Sequence, residues 1–276
     1  MRRDVAVIVG AGGMGLAIGR RLGSGKAVLL ADFDARTLDN AAAALRDEGH
    51  RVHVHPVDVS VPESVAALAA AAADLGPVTV IAHTAGLSPA QAPVEAILRV
   101  DLLGTALVLD EFARVVAPGG AAVMVASMAG HLIGPLPPAD ERALATTPAS
   151  ELLALPFLAP ERLDHPAVAY GIAKRANVLR VQSAAAGWAA APARVNSVSP
   201  GVISTAMGRQ ELAGEAGELM REMIANSAAG RVGTPDDVAA AAAFLCGPDA
   251  GFITGTDLLV DGGVVASVRA TRPTAH

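Results

Sequence analysis

Tyr170-Gly-Ile-Ala-Lys174 sets a phenol and an amine four residues apart. On a helix, positions i and i+4 share a face, so the two groups project together. A free tyrosine ionises near pH ~10, too high for a base at neutral pH, and a neighbouring cation stabilises the phenolate and lowers that value. The pair therefore suits general acid–base work on an alcohol or a carbonyl. Ser127, at the end of the apolar run Val123-Met-Val-Ala, offers a hydroxyl that can donate to a substrate oxygen across a cleft.

A second group of residues suits a dinucleotide. Gly10-Ala-Gly12-Gly13-Met14-Gly15 follows an apolar run and opens a helix. Such a turn is tight, lets a pyrophosphate approach bare backbone, and allows close helix packing. Asp32 lies 22 residues after Gly10, where a carboxylate can accept from both hydroxyls of a ribose. It would repel a 2′-phosphate, and no arginine follows directly, although Arg36 lies one helical turn on; NAD is expected over NADP. After another strand, Pro200-Gly201-Val-Ile203-Ser-Thr205 offers backbone near Ile203 and the Thr205 hydroxyl to a flat, amide-bearing ring.

The elements that must position these residues alternate. Val5–Val9 is a continuous β-branched run, as a strand covered on both faces requires. Helices are expected over Gly15–Leu22, Arg36–Asp47, most of Val94–Val116, Ala167–Trp188 and Gln210–Ala225. Another runs to about Leu75, opened by a capping box at Ser60-Val-Pro-Glu63, and another is capped by Thr234-Pro235-Asp236-Asp237. Strands are expected at Val28–Ala31, Val52–Val57, Val78–Ala82, Ala121–Ala126, Arg194–Val198 and Asp257–Val260. The alternation predicts an α/β fold, a doubly wound parallel sheet in one domain over 1–268 with a flexible tail over 269–276. Its ligand belongs at the C-terminal ends of the strands. The stretch from Ala129 to Ala167 breaks the rhythm with seven prolines (Pro135, Pro137, Pro138, Pro148, Pro156, Pro160, Pro166), many leucines and no element of clear length. An insertion of that composition, about 131–166, is expected to fold over something.

Composition excludes several classes. Of 276 residues 17% are charged, the net charge is −6 and no basic arm exists, so a nucleic-acid partner is not expected. The longest apolar runs, Val65–Ala73 and Val238–Cys246, fall well short of a membrane span. No signal-peptide core follows the N-terminus, and a cytoplasmic protein is the expectation. Cys246, the one cysteine, reads as a buried inert thiol. His53 and His55 point the same way but have no acidic or cysteine partner in register, so no metal is expected. His131 and His165 read as exposed loop histidines and Trp188 as packing.

Taken together, the glycine turn, Asp32, Asp58-Val59, Thr84-Ala85-Gly86, Ser127, Tyr170/Lys174, Pro200-Gly201 and Val260-Asp261-Gly262-Gly263 resemble the short-chain dehydrogenase/reductase family from Val5 to about Gly263. The resemblance implies a Rossmann-type fold, NAD(P), hydride transfer with secondary alcohols or ketones, and a homo-oligomer, a tetramer or dimer. It implies Tyr170 as acid/base and Ser127 as the group steadying substrate. Lys174 would hold the nicotinamide ribose and depress the tyrosine's pKa, Asp58 and Val59 would meet the adenine, and Ala85 and Gly86 the adjoining ribose.

Three departures from the family pattern stand out. The glycine turn is one residue shorter than T-G-x-x-x-G-x-G and starts at Val9. Asp101 stands where the family has an asparagine supporting a water-linked proton path to the lysine. Ser127 and Tyr170 are 43 residues apart, a spacing similar to the bacterial 3α-hydroxysteroid dehydrogenase/carbonyl reductase subgroup. The insertion then serves either as a lid for a bulky apolar, steroid- or polyketide-like ketone or as an element at a subunit interface. The expected function is an NAD(H)-dependent oxidoreductase on a small-molecule alcohol or ketone. The alternatives are a non-catalytic nicotinamide-binding regulator and an epimerase or dehydratase on the same fold.

Overall fold

Seven strands pair side by side into one parallel sheet. They are β1 (Val5–Val9), β2 (Ala27–Asp32), β3 (Arg51–Pro56), β4 (Val78–His83), β5 (Val116–Val125), β6 (Arg194–Pro200) and β7 (Asp257–Val260). The order across the sheet is β3-β2-β1-β4-β5-β6-β7, every pair parallel. The computed structural model describes residues 3–159, 162, 163 and 165–271; residues 1, 2, 160, 161 and 164 and the tail segment 272–276 lie outside the described residues.

The connecting helices, in chain order, begin with α1 (Gly13–Leu22), α2 (Ala35–Asp47), α3 (Pro62–Leu75), α4 (Val94–Ile97) and α5 (Gly104–Phe112). They continue with α6 (Ala129–Leu132), α7 (Pro138–Thr146), α8 (Ala149–Leu152), α9 (Pro166–Trp188) and α10 (Ala206–Ala213), then α11 (Gly217–Ala225), α12 (Pro235–Cys246) and α13 (Val264–Thr271). One face of the sheet packs on α1, α2 and α12 through Ile18, Leu38, Leu45, Val238 and Leu245. The other packs on α3, α5 and α9 through Val65, Leu68, Phe112, Val181 and Trp188. The winding reverses between β1 and β4, which opens a crevice at their C-terminal ends.

Among its described residues the insertion forms short helices. Leu144 on α7, Leu152 on α8, Leu158 in a 3-10 turn and Leu163 bury against Ile97, Leu102, Ile172 and Ala176. This third apolar cluster covers the outside of α9, which explains why that helix is buried nearly all round. Pro137, Pro138, Pro148 and Pro156 sit at the starts of these short helices, where their missing N–H costs nothing.

Four local expectations need correction. The capping box at Ser60 does not form: the Ser60 hydroxyl donates to Asp58 Oδ1 (2.7 Å), and Val61 takes the N-cap without a side-chain bond. The helix expected over 210–225 is two helices, because the chain turns at Gly214 and restarts at Gly217, where a Cβ would meet Leu212 O at 2.1 Å. β5 starts at Val116, upstream of Ala121. Helix α13 runs through Thr271, taking in the first three residues of the expected tail.

Candidate active site

A groove of about 680 Å³ opens over the C-terminal ends of β1, β2 and β4. Gly10, Gly12, Gly13, Met14, Asp32, Asp58, Val59, Ala85, Gly86 and Thr205 all line it, as expected from sequence. The glycine turn is built for close approach. Gly10 sits at φ +97°, a left-handed conformation that suits glycine. A Cβ on Gly15 would lie 1.8 Å from Gly10 O, whereas one on Gly12 would meet nothing within 4 Å. Gly12 caps α1 with no side chain, so the first N–H groups of that helix are free for a pyrophosphate. Asp32 Oδ2 accepts from Ala11 N–H (2.7 Å) and Oδ1 from Asp34 N–H (2.9 Å). A carboxylate has lone pairs to spare beyond these two bonds, so it can also meet a ribose. The residues present therefore fit a nicotinamide dinucleotide.

Other expected residues support the groove from behind. Gly15 packs α1 on β1. Gly201 N–H donates to Val260 O (3.0 Å), and Pro200 O accepts from Met128 N–H (2.8 Å). Ile203 is buried and bridges to Gly233. Thr205 caps α10, its Oγ1 accepting from Gly208 N–H (3.0 Å), and its methyl faces Gly13. Sequence reasoning missed Phe33, Thr37 and Arg99, which also line the groove. Phe33 is 78% exposed, and an aromatic beside Asp32 at a strand end was the available signal.

Gly86 joins the groove to the chemistry. A Cβ there would come 2.6 Å from Asp101 Oδ1 and 3.2 Å from Lys174 Nζ. Lys174 on α9 pairs with Asp101 at 2.8 Å, both side chains buried, and Asp101 Oδ2 accepts from Leu87 N–H (3.0 Å). Asp101 lies in the π-helical stretch Leu98–Leu103 between α4 and α5; a π-turn rotates side chains out of α-helical register and recurs at functional sites. Tyr170, one turn before Lys174, has its ring centroid 5.4 Å from Nζ, and the Ser127 hydroxyl lies near enough to favour its phenolate. The structure thus brings together Ser127, Tyr170, Lys174 and Asp101.

The electrostatics differ from the simple expectation. Burial raises the Tyr170 phenol above its usual value, Asp101 and Glu211 add to the rise, and Lys174 and Ser127 only partly offset it. The lysine acts in the expected direction but does not win. Asp101's charge holds the Lys174 ammonium above its usual range despite burial. Burial raises the Asp101 carboxyl, and Lys174 counters that rise. His83, ending β4, is pushed down to about 3 by burial and by Lys174, so it offers the site a neutral ring. Cys246 fits the inert-thiol expectation, with burial pushing it up to about 12.

His131 corrects an expectation. It is no exposed loop residue: it sits on α6 with its side chain 15% exposed and bonded to Asp257. His165 caps α9, its Nδ1 accepting from Ala167 N–H (3.1 Å). Trp188 is core, as expected.

Comparison with known proteins agrees with this geometry. A family model described as short chain dehydrogenase matches residues 4–138, and one described as Enoyl-(Acyl carrier protein) reductase matches residues 139–265. The short-chain dehydrogenase/reductase bsc3 of Alternaria brassicicola is 41% identical, covering 96% of this chain and 97% of the relative. The cis-4-hydroxycyclohexanecarboxylate dehydrogenase of Sinomonas cyclohexanicum is 32% identical over 95% of this chain and 96% of its own. A solved short-chain type dehydrogenase/reductase from Mycobacterium ulcerans superposes with a TM-score of 0.76 at 25% identity, over 96% of this chain and 90% of that one. With the sheet order, the glycine turn and the Ser127–Tyr170–Lys174 cluster already in place, these matches show that the chain belongs to the short-chain dehydrogenase/reductase family of oxidoreductases.

Proposed function

We propose that this chain moves a hydride between NAD(H) and the carbinol carbon of a bulky, largely apolar secondary alcohol or ketone. One observation carries the reading: Lys174, paired with Asp101 and one turn from Tyr170, reaches Gly86, which lines the groove that carries Asp32. A bound nicotinamide supplies the hydride acceptor or donor. In oxidation, the Tyr170 phenolate takes the hydroxyl proton, while Ser127 Oγ donates to the oxygen as it becomes a carbonyl. Lys174 favours the phenolate through its charge, and Asp101 keeps that ammonium in place and charged. In reduction, Tyr170 returns the proton to the developing alkoxide.

The substrate class rests on the wall beside Tyr170. Leu87, Ala92, Val94, Leu136, Leu153 and Leu155 belong with it to one apolar cluster, three of them from the insertion. The Sinomonas relative is named for a cyclic secondary alcohol. The proposal extends to a homo-oligomer, for which Phe244, Phe252 and Leu258 offer exposed apolar surface around the edge strand β7.

Two results test the reading. Fluorescence titration should show NADH binding at least about tenfold tighter than NADPH, and Asp32→Ser should narrow that ratio, because a carboxylate meets a 2′-phosphate with like charge. Equal affinities in the parent chain would contradict the choice of NAD. The second concerns Asp101→Asn. Removing this negative charge lowers the Tyr170 phenol, so the acidic limb of the pH–rate profile for alcohol oxidation should move to lower pH. Turnover near neutral pH should rise in the oxidative direction; an unmoved limb would show that Asp101 does not govern the phenol. Net formation of NADH in the same assay separates oxidation from epimerisation, which yields none.

A further inference from the structure

The hydroxyl of Ser127 sits just beyond β5, where the sheet's ladder runs out. The last backbone link from this segment to β6 is Met128 N–H to Pro200 O. The chain then makes α6, a single turn of four residues. A helix this short has no stability of its own, so its place must be set by what it touches.

Two of its contacts hold it from opposite sides, alongside the packing of Leu132 into the apolar cluster of Met128 and Val264 and the Arg269 bond to His131 O (3.4 Å). Gly130 lies flat against α9, where a Cβ would come 2.7 Å from Arg175 N and 2.8 Å from Lys174 C. On the other side, His131 Nε2 meets Asp257 Oδ2 at 2.8 Å, with Ser199 Oγ 3.3 Å away. Asp257 is itself fixed: its other oxygen accepts from Ser197 Oγ (2.5 Å) and Ser199 Oγ (3.0 Å), and its side chain is 7% exposed. Those bonds hold the carboxyl below its ordinary range despite burial. A buried charge on β7 bonded by two serines of β6 is a fixed anchor, and a charge-assisted bond to it is strong and directional.

We infer that His131 is a positioning residue for Ser127: tethered to Asp257, it presses α6 against α9 and sets the distance between the Ser127 hydroxyl and the Tyr170 phenol. The inference rests on the reading of Ser127 as the group that bonds the substrate oxygen. His131 does not line the groove and acts through the turn it anchors. Reacting groups displaced by about 1 Å can lose about a hundredfold in rate, so even a small shift of α6 is felt in turnover.

The test combines kinetics with hydrogen exchange. His131→Ala should lower kcat about ten- to a hundredfold at saturating NADH, leave the Kd for NADH within about twofold, and speed exchange in the peptide carrying α6 without changing that of α9. His131→Gln, whose amide N–H can reach Asp257, should restore most of the rate; His131→Asn, with a shorter reach, should not. In a Ser127→Ala background, His131→Ala should cost nothing further, because both changes remove one interaction. Unchanged exchange in α6 would overturn the proposal, as would an equal loss of rate with and without Ser127. Should His131→Ala fail to fold, the contrast between Gln and Asn at 131 decides, and equal rates overturn it. If exchange rises while Ser127→Ala itself leaves turnover intact, the tether stands and the role given to Ser127 falls.

Discussion

Tyr170→Phe should leave NADH binding within about twofold and cut turnover by at least about a hundredfold, the usual scale for loss of a general acid–base group. The change removes one oxygen and keeps the ring, which packs in the apolar cluster with Ile172 and the insertion, so folding and the groove persist. What disappears is the group proposed to exchange a proton with the substrate oxygen. The residual rate should also lose the pH dependence of the parent chain. In that chain the phenol is held above its ordinary value, so alcohol oxidation should accelerate as pH rises toward it. Initial rates across pH, with NADH affinity by fluorescence, check both parts; a Phe variant with parental turnover would remove Tyr170 from the mechanism.

Lys174→Met should damage both activity and stability. Removing the ammonium strands the buried Asp101 carboxylate, and breaking such a pair from one side costs about 3–5 kcal/mol. Urea denaturation should show that loss near neutral pH. It should shrink at lower pH, because a carboxyl already raised by burial escapes the penalty by taking a proton. The double variant Lys174→Met/Asp101→Leu should recover most of the stability, since an apolar pair of similar volume can replace a buried ion pair without net cost. It should not recover turnover, because the charge that favours the phenolate is gone. A single variant as stable as the parent chain would mean that the ion pair is not closed in solution.

Much of the fold was legible because it is written locally. The strands under both helical layers are short β-branched runs such as Val5–Val9, and Tyr170 and Lys174 declare their shared face by spacing alone. The glycine turn and Asp32 sit where a doubly wound sheet needs them. What was hidden depends on distant partners. The capping box at Ser60 failed because Asp58 competes for its hydroxyl. The π-turn that carries Asp101 has no sequence mark, and its value lies in meeting Lys174, 73 residues on. His131 looked like a loop residue because its partner Asp257 is 126 residues away. Burial, which holds the Tyr170 phenol up against the lysine's pull, is a property of the packed whole and not of the Y-x-x-x-K spacing.

The most direct test follows the hydride itself. NADH carrying deuterium at the transferring position of the ring is mixed with the protein and a cyclic ketone, and the product alcohol is examined by mass spectrometry. Deuterium bonded to the new carbinol carbon, formed at least about a hundredfold more slowly in the Tyr170→Phe reaction, is the predicted result. Alcohol formed without the label, or label transfer that is undiminished in the Phe variant, would contradict it.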